Sequence, residues 1–154
     1  MTTSPAETFA ALHRAADAAC GARLFTVMIL DRDAGLARRA YTSHPDDYPT
    51  SGAKPMRSDA WTRQVIDEGR SFVANRTEDF SAFFSDHPRI TALGCAAALN
   101  IPVRDGESVV GTVNILDRAG HFTPETVSRL ESLVAAQRPD LIRAMSSLRQ
   151  EQSA

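Results

Sequence analysis

The 154-residue sequence predicts an α+β fold, a central antiparallel sheet with a helix toward each end of the chain. Three observations carry this reading. Gly94 to Asp117, GCAAALNIPVRDGESVVGTVNILD, is a long low-charge run with Asp105-Gly106 near its middle, the signal of a β-hairpin. Ser4-Pro5 and Thr123-Pro124 each open a helical pattern. Between the first helix and this hairpin lie shorter helix and strand signals and a loop rich in Pro and Asp.

In chain order, Ser4 can cap a first helix, with Pro5 in its first turn and Glu7 at the capping-box position. Phe9, Leu12, Ala16 and Ala19 recur at intervals of three and four, so the helix buries one stripe and runs to about Ala19 before Gly21 stops it. Leu24 to Asp31 is almost continuously apolar and reads as a strand buried on both faces. Asp33-Ala34-Gly35 turns the chain into a strand from Leu36 to Ser43, which Arg38 and Arg39 mark as an edge. His44 to Pro55, with Pro45, Asp46, Asp47, Pro49, Ser51, Gly52 and Pro55, is a loop long enough to be a lid. Ser58 is placed to cap a short helix whose Trp61, Val65 and Ile66 share a face, with Gly69 ending it. Ser71 to Ala74 is a brief strand. Thr77 to Asp86 is a short helix or turn carrying Phe80, Phe83 and Phe84, broken by His87-Pro88.

The central hairpin admits two registers, with Val103 facing either Ser108 or Val109. The second is favoured because it sorts Cys95, Ala97, Leu99, Ile101, Val103, Val109, Gly111, Val113 and Ile115 onto one apolar face. Ala96, Ala98, Asn100, Val110, Thr112, Asn114 and Leu116 then form a smaller, mildly polar face able to floor a pocket. The last helix shows one seam of Val127, Leu130, Val134, Leu141, Ala144 and Leu148, interrupted at Gln137, and a second stripe of Leu133, Ile142 and Met145. Pro139 predicts a kink near Ala135 to Arg138.

Composition bounds the function. The length fits one domain over residues 1–154, with a core of about 5–137 and a helical extension of about 138–150. A net charge of −2 and no dense Lys/Arg patch argue against nucleic acid or an acidic membrane as the main partner. No run approaches a transmembrane span and the amino terminus lacks a signal-peptide pattern, so a cytoplasmic location is expected. The two cysteines, Cys20 and Cys95, have no CxxC spacing, and His13, His44, His87 and His121 form no metal-binding motif. Solvated histidines are the expectation, with His87 bordering the aromatic segment.

The segment NIPVRDGESVVGTVNILDRAGHFTPETVSRLESLVAAQ resembles the C-terminal half of a GAF domain. In that family a Val-Pro-Leu strand, a Gly turn, a Gly-Val-Leu strand, a Phe and a helix ending near Ala-Gln follow one another. Here Ile101-Pro102-Val103, Gly106, Gly111-Thr112-Val113, Phe122 and Ala136-Gln137 fill those places. Upstream, the order helix, strand, strand, helix extends the likeness over nearly the whole chain. The resemblance implies a GAF/PAS-like sheet with the terminal helices on one face and a ligand pocket on the other, roofed by the middle helices and loops. GAF domains bind cyclic nucleotides, bilins, haem or small metabolites, and some mainly dimerise, so the fold does not choose a ligand. Cys95 is followed by Ala96 where bilin attachment normally has His. Asn75-Arg76 and Phe80 match only the start of the cyclic-nucleotide pattern. Free methionine sulfoxide reductases of this family carry several pocket cysteines, and this chain has Cys95 alone near the corresponding strand.

The expected function is that of a small-molecule-binding sensory module with no output domain of its own, signalling through a separate partner. No cofactor is identifiable. The candidate ligand-binding residues are Asn100, Thr112 and Asn114 on the floor, beneath Tyr41, Trp61, Phe80, Phe83 and Phe84. Ligand would order the loop at 44–57 and the middle helices. Because two apolar stripes on one helix exceed what a single sheet covers, a homodimer through the terminal helices is expected. The competing readings are a thiol reductase using Cys95 and a ligand-free dimerisation module. Against the first, Cys95 also reads as a small buried hydrophobe pointing toward the helices.

Overall fold

A computed structural model describes residues 3–50 and 52–153 of the chain, so Ser51 of the predicted loop lies outside the described residues. Helix α1 (Pro5–Cys20) begins at Ser4, whose hydroxyl accepts from the Glu7 amide, and ends at Gly21 with φ 84°. Strands β1 (Leu24–Asp31) and β2 (Leu36–Thr42) form the first hairpin. A three-residue strand β3 (Ala53–Pro55) pairs with β2, so β2 is interior to the sheet and the edge expected there is β3. Helix α2 (Ala60–Thr62) runs into a π-helical turn at Arg63–Asp67. Its cap is Asp59, which accepts from the Thr62 amide at 2.8 Å, in place of the expected Ser58. Strand β4 (Phe72–Ala74) and helix α3 (Thr77–Phe80) follow. His87-Pro88, expected to break structure, instead opens helix α4 (His87–Ala92), because proline is tolerated in a first turn. Strands β5 (Ala97–Asp105) and β6 (Ser108–Asp117) make the central hairpin, and helix α5 (Pro124–Ser153) continues unbroken through Pro139.

The six strands are antiparallel in the order β3-β2-β1-β6-β5-β4, which places β1 and β6 at the centre. One face carries Phe25, Val27, Ile29, Leu99, Ile101, Val113 and Ile115 and packs on α1 and α5 through Phe9, Leu12, Leu130, Leu141 and Met145. Leu141, Ala144 and Met145 belong to this main core, so the distal part of α5 packs on the sheet with the rest. The second stripe is absorbed by the same core. Met145 is fully buried, and Leu133 and Ile142 lie half-buried against it. Among the described residues Val73, at 40%, is the exposed large apolar side chain, and no helix is long and apolar enough to cross a membrane.

Two bulges correct the predicted faces. In the central hairpin the turn is Gly106-Glu107, with Asp105 opposite Ser108, Arg104 opposite Val109 and Val103 opposite Gly111. Val110 is therefore an extra residue, and a bulge of this kind re-phases the alternation. Val109 lies on the cavity face with Leu30, Val65 and Ile66, while Val110 packs toward the helices, the reverse of the expectation. Cys95 precedes the strand and sits in the cluster of Leu24, Tyr48, Phe80, Ile90 and Leu116, on the side away from the terminal helices. The second bulge inserts Ala40 between Arg39, opposite Met28, and Tyr41, opposite Val27.

Candidate functional site

The face of the sheet turned away from α1 and α5 is covered by three parts of the chain: Tyr48 together with residues 54–59, α2 with its π-helical turn, and the Phe83–Asp86 segment. Between them and the sheet lies a cavity of about 190 Å³. Its floor is Leu24, Thr26, Met28, Leu30, Asn100, Thr112, Asn114 and Leu116, and its roof includes Met56, Trp61, Ile66, Phe83 and Phe84. Of the sequence-predicted residues, Trp61, Phe83, Phe84, Asn100, Thr112 and Asn114 come together around this cavity. Phe80 is fully buried in the supporting cluster beneath α4 and does not line it.

Tyr41 does not line it either. The Ala40 bulge turns Tyr41 onto the helix face, where its ring meets Phe25 edge-on and its hydroxyl lies 2.9 Å from His13 Nδ1. Burial raises the Tyr41 phenol above its ordinary range, opposed by Arg14. His13 stacks on Phe25, and burial lowers its pKa below 6.5 against the pull of Asp17.

The polar part of the floor forms one directed chain. Trp61 Nε1 donates to Asn100 Oδ1 at 3.0 Å, Asn100 Nδ2 donates to Asn114 Oδ1 at 2.8 Å, and Asn114 Nδ2 donates to Thr26 Oγ1 at 3.2 Å. An indole is a donor only, so it fixes the orientation of the first amide and through it the second. The chain ties the roof helix to the adjacent strands β5, β6 and β1, and it satisfies amides that are otherwise costly to bury. In a sequence, Asn100 and Asn114 are recognisable as polar residues on facing strands. Their contact with Trp61 depends on long-range placement.

At the β2 side the cavity is lined by charged and phenolic groups that sequence reasoning missed: Arg39, Tyr48, Lys54, Arg57, Asp59 and Asp86. Arg39 is only 7% exposed. Its Nη1 donates to the Pro49 carbonyl at 2.9 Å and its guanidinium stacks 4.9 Å from the Tyr48 ring centre, but its Nε has no hydrogen-bond partner. Burial pulls its pKa below the ordinary arginine range, with Asp86 opposing. Asp86 pairs with Lys54 at 3.2 Å. Burial pushes its carboxyl upward, and Lys54 with Tyr48 more than reverses this, leaving it below the usual value. The Tyr48 hydroxyl is near enough to Asp86 to favour the carboxylate, yet outside hydrogen-bond geometry, and burial raises its phenol strongly. The available signal for Tyr48 was one aromatic residue inside a Pro- and Asp-rich loop.

Cys95, 1% exposed, has its thiol pushed up to about 11, first by burial and then by Asp117, with Arg23 opposing. It does not line the cavity, and Cys20 packs on the opposite face of the sheet. Among the described residues no group of three His, Cys, Asp or Glu side chains could hold a metal ion.

Comparison with known proteins gives the fold its place. No curated protein matches the chain. Solved structures that share its architecture include three GAF domain proteins. The GAF domain/HD domain protein from Geobacter sulfurreducens is 12% identical with TM-score 0.73, over 92% of this chain and 94% of that one. The second GAF domain of DevS from Mycobacterium smegmatis is 19% identical with TM-score 0.67, over 96% and 99%. The blue-light absorbing form of the Thermosynechococcus elongatus PixJ GAF-domain is 12% identical with TM-score 0.66, over 95% and 89%. At these identities the likeness concerns the fold. The family model for the GAF domain matches residues 2–136, and the chain therefore belongs to the GAF domain family, whose members are small-molecule-binding sensory domains of signalling proteins.

Proposed function

We propose that this chain is a cytoplasmic sensory module that binds a small molecule in the cavity over Asn100, Thr112 and Asn114 and signals through a separate protein. The observation that carries the reading is the cavity itself. It is mainly apolar, bounded by one sheet face and three short covering segments, and coupled to the sheet by the Trp61–Asn100–Asn114–Thr26 chain. Such a site, apolar with a few directed polar groups, suits a small ligand. Its volume of about 190 Å³ lies below the roughly 300–1,000 Å³ of drug-sized sites, which favours a compact ligand. Binding would order the 44–57 segment and the roof helices, and their changed surface would be the signal.

A homodimer through α1 and α5 is the form in which we expect the module to act. Its support is narrower than the stripe count implies, because Leu133, Ile142 and Leu148 are half-buried within the single chain. Concentration-dependent sedimentation of the full chain and of a chain ending before Pro139 tests it: loss of association on truncation is expected, and an unchanged dimer overturns the role of the distal helix. A thiol reductase reading draws no support from Cys95, which is enclosed and has a raised pKa. The ligand reading is tested by native mass spectrometry of the freshly purified chain, followed by denaturing analysis of released species. A stoichiometric small molecule is the expected result.

A further inference from the structure

The ionic groups around the cavity are not evenly matched. Three cationic side chains, Arg39, Lys54 and Arg57, line it against two carboxylates, Asp59 and Asp86. Both carboxylates are already engaged, Asp86 with Lys54 and Asp59 as the cap of α2. Arg39 is the most enclosed of the five, and none of the described ion pairs includes it. Its Nε lacks a partner, and the hydroxyl of neighbouring Tyr48, a residue only 3% exposed, lies beside Asp86 without meeting hydrogen-bond geometry. Arginine stays protonated in proteins, and Asp86, the carboxylate whose field reaches Arg39, is paired directly with Lys54 and makes no ion pair with Arg39. Arg39 and Tyr48 therefore bring a cation and a phenol to one side of a cavity whose floor and roof are largely Leu, Met, Ile and Phe side chains, with Thr26, Asn100, Thr112 and Asn114 among them.

We infer that the cavity takes a small carboxylate with a compact apolar body, its anionic end received by Arg39 and Tyr48 and its body held between the sheet floor and Phe83 and Phe84. The inference rests on the sensory reading above and names its ligand class. A guanidinium donating to a carboxylate makes a stronger, charge-assisted bond than it makes to a neutral carbonyl. The phenol adds a second donor, and the floor amides, committed to one another, leave the body in apolar surroundings. Arg57 adds a further cation at the same side, where Lys54 is balanced by Asp86.

The test titrates the full chain with benzoate and phenylacetate, and with the neutral benzamide and phenylacetamide, by calorimetry. The indole N–H resonance of Trp61, the sole tryptophan, reports occupancy of the cavity. The expected result is that each carboxylate binds at least about tenfold more tightly than its amide. Arg39→Gln should reduce that preference to within about twofold, Arg39→Lys should retain part of it, and Tyr48→Phe should weaken both carboxylates. Equal binding of acid and amide to the wild-type chain, a comparison that needs no variant to fold, overturns the inference while leaving the cavity a ligand site. An unchanged preference in Arg39→Gln overturns the anchor. Absence of binding by all four probes also overturns the carboxylate class. The sensory reading then stands or falls separately, on whether the purified chain carries a small molecule of any charge.

Discussion

The hydrogen bond from Trp61 to Asn100 joins the roof to the sheet, and a double-mutant cycle across it measures that coupling. Trp61→Phe keeps an aromatic ring over the cavity but removes the donor at 3.0 Å from Asn100 Oδ1 together with part of the ring volume, a loss that the cycle subtracts because it is common to both backgrounds. Asn100 is buried, so its oxygen is left short of a partner, which costs about 1–3 kcal/mol. In a chain of this length that lowers the melting temperature by about 2–12 °C, at roughly 2–4 °C per kcal/mol. Asn100→Ala removes two bonds together, orphaning the indole N–H and Asn114 Oδ1, and should cost more than Trp61→Phe. Once Asn100 is gone, losing the indole donor costs little. The double variant should therefore be more stable than the sum of the singles predicts, by about 0.5–3 kcal/mol. Urea unfolding followed by far-UV circular dichroism measures all four species. If the two effects add to within about 0.5 kcal/mol, the chain does not couple roof and floor.

Three further outcomes follow from other contacts. A Cβ on Gly111 would meet the Met28 carbonyl oxygen of β1 and the Met145 sulfur of α5 at 2.8 Å, so Gly111→Ala should destabilise the fold by about 1–3 kcal/mol, measured by urea unfolding. His13 has a folded pKa below its ordinary 6.5, so the unfolded chain binds more protons. Its contribution is fully present above about pH 6.5 and is lost as pH falls through the folded value, and His13→Gln should show a shallower loss of melting temperature from pH 7 to pH 5 than wild type. Finally, iodoacetamide at pH 7.5 should label Cys20, which is half-buried, well before Cys95, with Cys95 reacting only on unfolding. Mass spectrometry of tryptic peptides resolves the two.

Much of the fold was legible because each element announces itself locally. Ser4-Pro5 caps α1, the continuous apolar run of β1 reports burial on both faces, and β5 and β6 flank a glycine turn. The cavity floor was legible for the same reason, since Asn100, Thr112 and Asn114 are the polar residues of that hairpin's second face. The failures share a cause. Strict alternation puts Arg39 and Tyr41 on one face of β2, and the extra residue Ala40 separates them, sending Arg39 to the cavity and Tyr41 to the helices. Val110 does the same to Val109 in β6. A period-2 pattern carries no mark of where one strand holds an additional residue. Tyr48, Lys54 and Asp86 reach the site from irregular segments, where there is no periodicity from which to infer direction. The roof's covering of the floor is a long-range consequence of β3 adding to the sheet, and three residues give little strand signal.

Native mass spectrometry of the full chain beside a Thr112→Phe variant tests the central claim most directly. Thr112 lies on the cavity floor, buried at the centre of the sheet, and a phenyl group there occupies the space assigned to ligand. A small-molecule adduct is expected on the wild-type chain and absent from the filled variant, with both chains folded as judged by circular dichroism. An adduct carried equally by both chains would contradict it, as would a wild-type chain that stays empty after incubation with a small-molecule extract of its host.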